Sequence, residues 1–237
     1  LPGYYGLAEG SWKHFCRVWN VDFDSMKARF ADKMMEAKGT TVSRWVDAVL
    51  ENKENIAQAN PVKGLFFWGH APNSQTRGLD MKRAMDALDL LVVVDPYPTA
   101  TAAMAAMQTE GKVNPNRAVY LLPASTQFEC SGSVTASNRS VQWREKVIDP
   151  LFESLPDHVI MQALADKLGF GDEMSKNYKM LETKFAGKTW REPQIESILD
   201  EINKGLWTIG YTGQSPDRLK AHMRNMHLFD VRTLRAT

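Results

Sequence analysis

The sequence predicts an α/β fold, a doubly wound and mostly parallel sheet with helical flanks, and three observations carry that prediction. Gly64-Leu65-Phe66-Phe67-Trp68, Leu90-Leu91-Val92-Val93-Val94 and Ala118-Val119-Tyr120-Leu121-Leu122 are short, continuously apolar runs. Runs of that length suit strands buried on both faces of a sheet. Each run stops at a polar loop rich in Gly, Pro, Asn, Asp or Thr. Between the runs lie helix-period segments long enough for parallel crossovers.

Each element has its own signal. Leu79, Met81, Met85 and Leu88 mark a helix after the first strand. Asp95-Pro96-Tyr97-Pro98-Thr99 ends the second strand, because two prolines forbid both a continued strand and an immediate helix. Thr99 is placed to cap the Ala- and Met-rich stretch 100–107. Residues 1–60 form a helical lead-in, with Ser25 as one cap and Thr41 or Ser43 as another, the second before Trp45, Val46, Val49 and Leu50. Residues 61–150 hold the α/β portion, ending in an extended loop over 129–145. Residues 151–237 read as a helical extension. Asp157 is its first cap and Gly169 its first stop. Glu192-Pro193 opens a second helix that Gly205 closes. Ser215 caps a third, with Pro216 at its first position.

Composition narrows the functional classes. Twenty-nine basic and 28 acidic side chains give a net charge of +1, and no basic run stands out. Nucleic-acid binding is therefore not expected. No apolar stretch approaches the ~20 residues of a membrane span, so direct membrane insertion is not expected either. Two cysteines, Cys16 and Cys130, cannot build a four-thiolate zinc or iron–sulfur cage. They read as free thiols. His222 and His227 lack the i,i+4 spacing of a helical zinc pair, and no metal ligand set is expected from this chain. The G-x-S-x-G elbow, the phosphate-cradling P-loop and the G-x-G-x-x-G fingerprint are all absent.

Ligands of doubly wound sheets sit beyond the carboxyl ends of the strands. Here those ends are the loops 70–77, 95–99 and 123–127. Asp95 is the sharpest candidate, since a carboxylate directly after a buried strand can accept paired hydrogen bonds from a guanine edge. A turn-forming Asp would occupy the same position. His70, in the first of these loops, is open to the same double reading.

Three stretches then resemble a known family. They are Phe67-Trp68-Gly69-His70-Ala71-Pro72-Asn73-Ser74-Gln75-Thr76-Arg77-Gly78, Val93-Val94-Asp95-Pro96-Tyr97-Pro98-Thr99, and Tyr120-Leu121-Leu122-Pro123-Ala124-Ser125-Thr126-Gln127-Phe128-Glu129. Together with 132–144 they resemble the large subunits of formate dehydrogenases, members of the bis-molybdopterin-guanine-dinucleotide oxidoreductases. The flanks 10–15 and 207–216 are similar to one formate dehydrogenase subgroup. The resemblance implies half of a pterin-dinucleotide-binding domain that is discontinuous in sequence.

By that match Gly69, His70, Asn73, Ser74, Gln75 and Thr76 line the nucleotide, and Asp95, Tyr97 and Thr99 meet its guanine end. The 123–126 turn and the 135–142 segment approach the pterin or diphosphate side. The implied cofactor is molybdopterin guanine dinucleotide with Mo or W. The family's catalytic residues and iron–sulfur cysteines lie upstream of this region, so the chain is expected to be an internal piece that is inactive alone. An N-terminus reading Leu1-Pro2-Gly3, without Met or signal, agrees. Implied partners are the remainder of the same catalytic subunit and an iron–sulfur electron-transfer subunit. The implied setting is a respiratory complex, periplasmic or membrane-associated, with the cytoplasm as runner-up. The alternatives are another molybdopterin oxidoreductase, such as a nitrate or polysulfide reductase, and a non-catalytic guanine-nucleotide-binding scaffold.

Overall fold

In a computed structural model of the chain, the described residues are 13, 16–17, 20–28, 44–50, 60–70, 77–99, 101, 116–136, 141–205, 215–230 and 235–236. The chain forms two compact units, one of Lys38–Ala124 and one of Leu1–Ala37 with Ser125–Thr237.

The first unit is built on the expected strands. Helix α1 (Trp45–Leu50), strand β1 (Gly64–Trp68), helix α2 (Gly78–Ala87), strand β2 (Leu90–Asp95) and strand β3 (Ala118–Pro123) follow in order. The three strands are parallel in the order β1-β2-β3. Phe67 stands beside Val93, and Val93 beside Leu121. The expected α/β architecture is thus present. Its centre is β2, whose Leu91, Val92, Val93 and Val94 are all buried.

One face of the sheet is closed by the two helices. Met81, Ala84, Met85 and Leu88 repeat at helical spacing and bury against Phe67, Leu91 and Val93, where α1 adds Val46 and Val49. Burying each such side chain stabilises the fold by roughly 1.5–3 kcal/mol. The Trp45 ring meets Phe67 edge-on, with centroids 5.3 Å apart. Leu79, expected on the apolar face, is instead exposed. It lies two residues from Met81, so the helical turn carries it to the far side.

The second unit departs more from expectation. The stretch 129–145, read as a loop, contains an antiparallel hairpin of β4 (Gly132–Thr135) and β5 (Val141–Arg144). Helix α3 (Asp157–Leu168) ends at Gly169 in the left-handed region, as expected. Its N-cap is Pro156, not Asp157, which is the first helical residue. Helix α4 (Gly171–Ser175) follows, then a hairpin of β6 (Met180–Phe185) and β7 (Lys188–Pro193) inside the supposedly helical extension. Glu192 and Pro193 therefore close a strand, and helix α5 (Ile195–Gly205) starts after them. Helix α6 (Pro216–Arg224) has the expected cap, with the Ser215 side chain accepting from the Arg218 N–H at 3.2 Å. The short strands β8 (Phe229–Asp230) and β9 (Arg235–Ala236) end the chain.

Near the N-terminus Asp22, not Ser25, caps the turn, accepting from the Ser25 N–H at 2.8 Å. Thr41, Ser43 and 102–107 lie outside the described residues. Cys16 and Cys130 are free thiols. No helix among the described residues is long and apolar enough to cross a membrane.

Candidate cofactor-binding site

The expected site lies where β1 and β2 end side by side, since Trp68 pairs with Val94. Gly69 leaves β1 with φ +56°, and its N–H donates to the Val94 carbonyl at 2.9 Å. A side chain is disfavoured by that backbone angle, yet a Cβ there would meet nothing within 4 Å. The position thus keeps bare, accessible backbone at the strand end. His70 follows, half-buried, its ring stacked on Phe67 at 6.4 Å.

On the neighbouring strand Asp95 makes the turn that sequence reasoning allowed. Its Oδ1 accepts from the Tyr97 N–H at 3.1 Å. Among the described residues no donor reaches Oδ2, and the residue is only half-buried. One carboxylate oxygen therefore holds the loop while the other can accept. Tyr97 is exposed, with its ring available for stacking. The Thr99 N–H donates to the Tyr97 carbonyl at 2.7 Å. Among the described residues the buried Thr99 hydroxyl has no hydrogen-bond partner, so it is able to bond a ligand. The Ala124 N–H donates to the Asp95 carbonyl at 3.1 Å, so the end of β3 joins the same rim.

Five predicted residues are thus brought together: Gly69 and His70 on one strand end, Asp95, Tyr97 and Thr99 on the next. Asn73, Ser74, Gln75 and Thr76 lie outside the described residues. Among the described residues no three His, Cys, Asp or Glu gather to hold a metal ion. The donor set is amide, hydroxyl, carboxylate and aromatic face, which fits the nucleotide arm of an organic cofactor.

Two residues at the rim escaped the sequence reading. Arg77 opens α2 in the left-handed region, at φ 70° and ψ 40°, without a capping side chain. Its Nη1 lies 2.7 Å from Asp47 of α1, and its Nε 3.0 Å from Asp80. Asp47 is buried, and Arg44 supplies a second contact at 2.9 Å. Burial alone would raise the Asp47 carboxyl, but the two arginines hold it below the usual carboxylate range. An Asp on a short helix looks like a surface charge, so the pattern gave no hint of it.

The molybdopterin oxidoreductase family matches residues 10–167. The chain is 29% identical over 221 residues to the F420-dependent formate dehydrogenase subunit alpha of Methanocaldococcus jannaschii, which covers 93% of this chain and 25% of that protein. It is 31% identical over 204 residues, 85% of this chain and 17% of the relative, to a protein provisionally named a formate dehydrogenase in Staphylococcus aureus. A second such protein from that species is 30% identical over 160 residues, 67% of this chain and 13% of its own. The chain therefore spans a quarter or less of the length of these relatives. The family match spans more than half of the chain, and on it rests one conclusion: the chain belongs to the molybdopterin oxidoreductase family.

Proposed function

We propose that the chain is part of the catalytic subunit of a formate dehydrogenase, and that its sheet unit holds the guanine end of a molybdopterin guanine dinucleotide carrying Mo or W. The parent reaction is the oxidation of formate to carbon dioxide, with one proton released and two electrons passed to iron–sulfur centres. The observation that carries the reading is the polar rim at the ends of β1 and β2, on a chain similar along nearly its whole length to formate dehydrogenases.

The cofactor supplies the redox chemistry when bound. The chain binds and orients. With the cofactor bound, the Asp95 carboxylate would accept from the ring N–H and exocyclic amine of guanine, a charge-assisted pair. Tyr97 would offer its ring to the base, the Thr99 hydroxyl would find a partner, and Gly69 would admit close approach. His70, Asn73, Ser74, Gln75 and Thr76 continue the same lining toward the diphosphate. The catalytic residues, and the cysteines that bind iron–sulfur clusters, belong to other parts of the subunit. The partners are that remainder and an iron–sulfur electron-transfer subunit. The setting is anaerobic respiration, in a periplasmic or membrane-associated complex, with the cytoplasm as the second possibility.

Asp95→Ala in the full-length enzyme tests the reading. Mo or W and released guanine nucleotide per polypeptide should both fall while the thermal midpoint stays close to that of the unmodified enzyme. Unchanged nucleotide content would remove Asp95 from the guanine site.

A further inference from the structure

Helix α1 is short, and the sequence suggests only a lead-in that packs on the following domain. Its contacts say more. On one side Trp45 meets Phe67, and Phe67 in turn stacks on His70. On the other side Asp47 reaches across 30 positions of sequence to Arg77 at 2.7 Å. His70 follows the end of β1, and Arg77 stands where the chain enters α2. One helix therefore touches both the end of β1, through Phe67, and the entry to α2, through Arg77.

The Arg77 end is unusual in its backbone. A non-glycine residue at φ 70° is strained, and such strain persists only where its surroundings over-determine it. Glycine would take the same backbone without steric cost, and the chain has one at the very next position, Gly78. Arginine is kept where its planar fork can bridge Asp47 and Asp80. Asp47 is buried while the Arg77 side chain is 36% exposed, so the pair joins a shielded carboxylate to a guanidinium at the surface. Fold stability alone would be served by a relaxed turn and an uncharged helix face.

We propose that the Asp47–Arg77 pair is a positioning clasp for the cofactor: α1 braces the entry to α2 against the end of β1 and so keeps Gly69, His70 and Asp95 in register for the nucleotide. The inference rests on the proposed nucleotide role of that rim. Neither residue is placed in contact with the cofactor. Both act through the backbone they hold.

The test uses the full-length enzyme loaded with cofactor, and follows guanine nucleotide and metal retained per polypeptide during prolonged dilution. Asp47→Asn and Arg77→Lys should each speed cofactor loss roughly tenfold, the scale of removing a supporting residue around a bound group. The double variant should lose it no faster than the worse single variant, because the two substitutions open one clasp. Val159→Ala truncates a buried residue of α3 in the other unit. It should lower the thermal midpoint at least as much and leave retention unchanged. Normal retention in Asp47→Asn and Arg77→Lys, with cofactor lost from Asp95→Ala, would overturn the clasp and leave the binding site standing. Loss from Val159→Ala at the same rate would also overturn it, since retention would then only follow stability. Normal retention in Asp95→Ala would remove the reading on which the clasp rests.

Discussion

Glu129 shows how much a single side chain can organise. It is 4% exposed, and its two oxygens accept from the Thr126 N–H at 2.5 Å and the Leu151 N–H at 2.7 Å. Two loops distant in sequence are tied by one carboxylate. Burial alone would push its pKa up, but the Thr126 hydroxyl and those two N–H donors outweigh it and hold the group below its ordinary value of 4.5. A depressed carboxylate contributes stability that is fully present above the unfolded value and is lost as the pH falls through the folded one. Glu129→Ala removes the acceptor of two part-buried N–H groups and should cost roughly 1–3 kcal/mol at neutral pH. Urea unfolding should show that cost shrinking as the pH falls from the ordinary carboxylate value through the lower folded one. An equal cost at every pH would mean that packing, not charge, is what Glu129 supplies. The candidate site follows a similar logic, and its legibility divides by residue. Asp95 could be read because a carboxylate after an apolar run is conspicuous. The orphaned Thr99 hydroxyl could not, since a missing partner is a property of three-dimensional surroundings. Arg77 and Asp47 were silent because nothing in their local sequence brings positions 30 apart together.

At the scale of elements, what could be read was set by how strongly each strand is buried. β2 spells its role in an apolar run because the sheet takes its side chains on both faces, whereas β1 and β3, just as apolar in sequence and expected to be buried likewise, leave Phe66, Val119, Tyr120 and Leu121 exposed. β6 and β7 read Met180-Leu181-Glu182-Thr183-Lys184-Phe185 and Lys188-Thr189-Trp190-Arg191-Glu192-Pro193, with mostly solvent-facing polar residues. Their turn, Ala186-Gly187, lies at φ 49° and 73°, the geometry of a tight hairpin turn that usually announces itself as Asn-Gly or Asp-Gly. Alanine at its first position hid it. Ala186→Asn should therefore stabilise the chain by about 0.5–1 kcal/mol, read as a raised thermal midpoint. A lowered midpoint would show that the turn relies on something other than its backbone angles. The join between α3 and α4 makes the opposite demand. A Cβ on Gly171 would run into the Asp166 side chain and approach its Cα to 3.0 Å. Asp166 Oδ1 accepts from Gln162 Nε2 at 2.8 Å and Arg191 Nη1 at 2.7 Å. Gly171→Ala must displace that hub, and it should cost roughly 1–3 kcal/mol, the usual range for overpacking. Chemical denaturation measures it, and a neutral result would mean that the helix pair can slide apart freely.

For the whole molecule, the question is what this chain can do by itself. Its two units each have a hydrogen-bonded framework, and the rim at the ends of β1 and β2 is carried entirely within the unit Lys38–Ala124. On the proposed function, binding and chemistry separate: the electrons of formate pass to iron–sulfur centres, and a four-iron cluster requires four thiolates. The chain has two cysteines. Burial raises the Cys16 thiol, with the Asp22 carboxylate adding to it, and burial likewise raises Cys130. Burial thus disfavours the thiolate, the form that binds metal, at both positions. The 237-residue chain, purified alone and treated with ferrous iron and sulfide, should therefore assemble no cluster absorption and show no formate-dependent dye reduction. The full-length enzyme assayed beside it should reduce the dye. Turnover by the chain alone would mean that residues within it reach the reacting atoms, and the division between a cradle and a catalytic remainder would have to be abandoned.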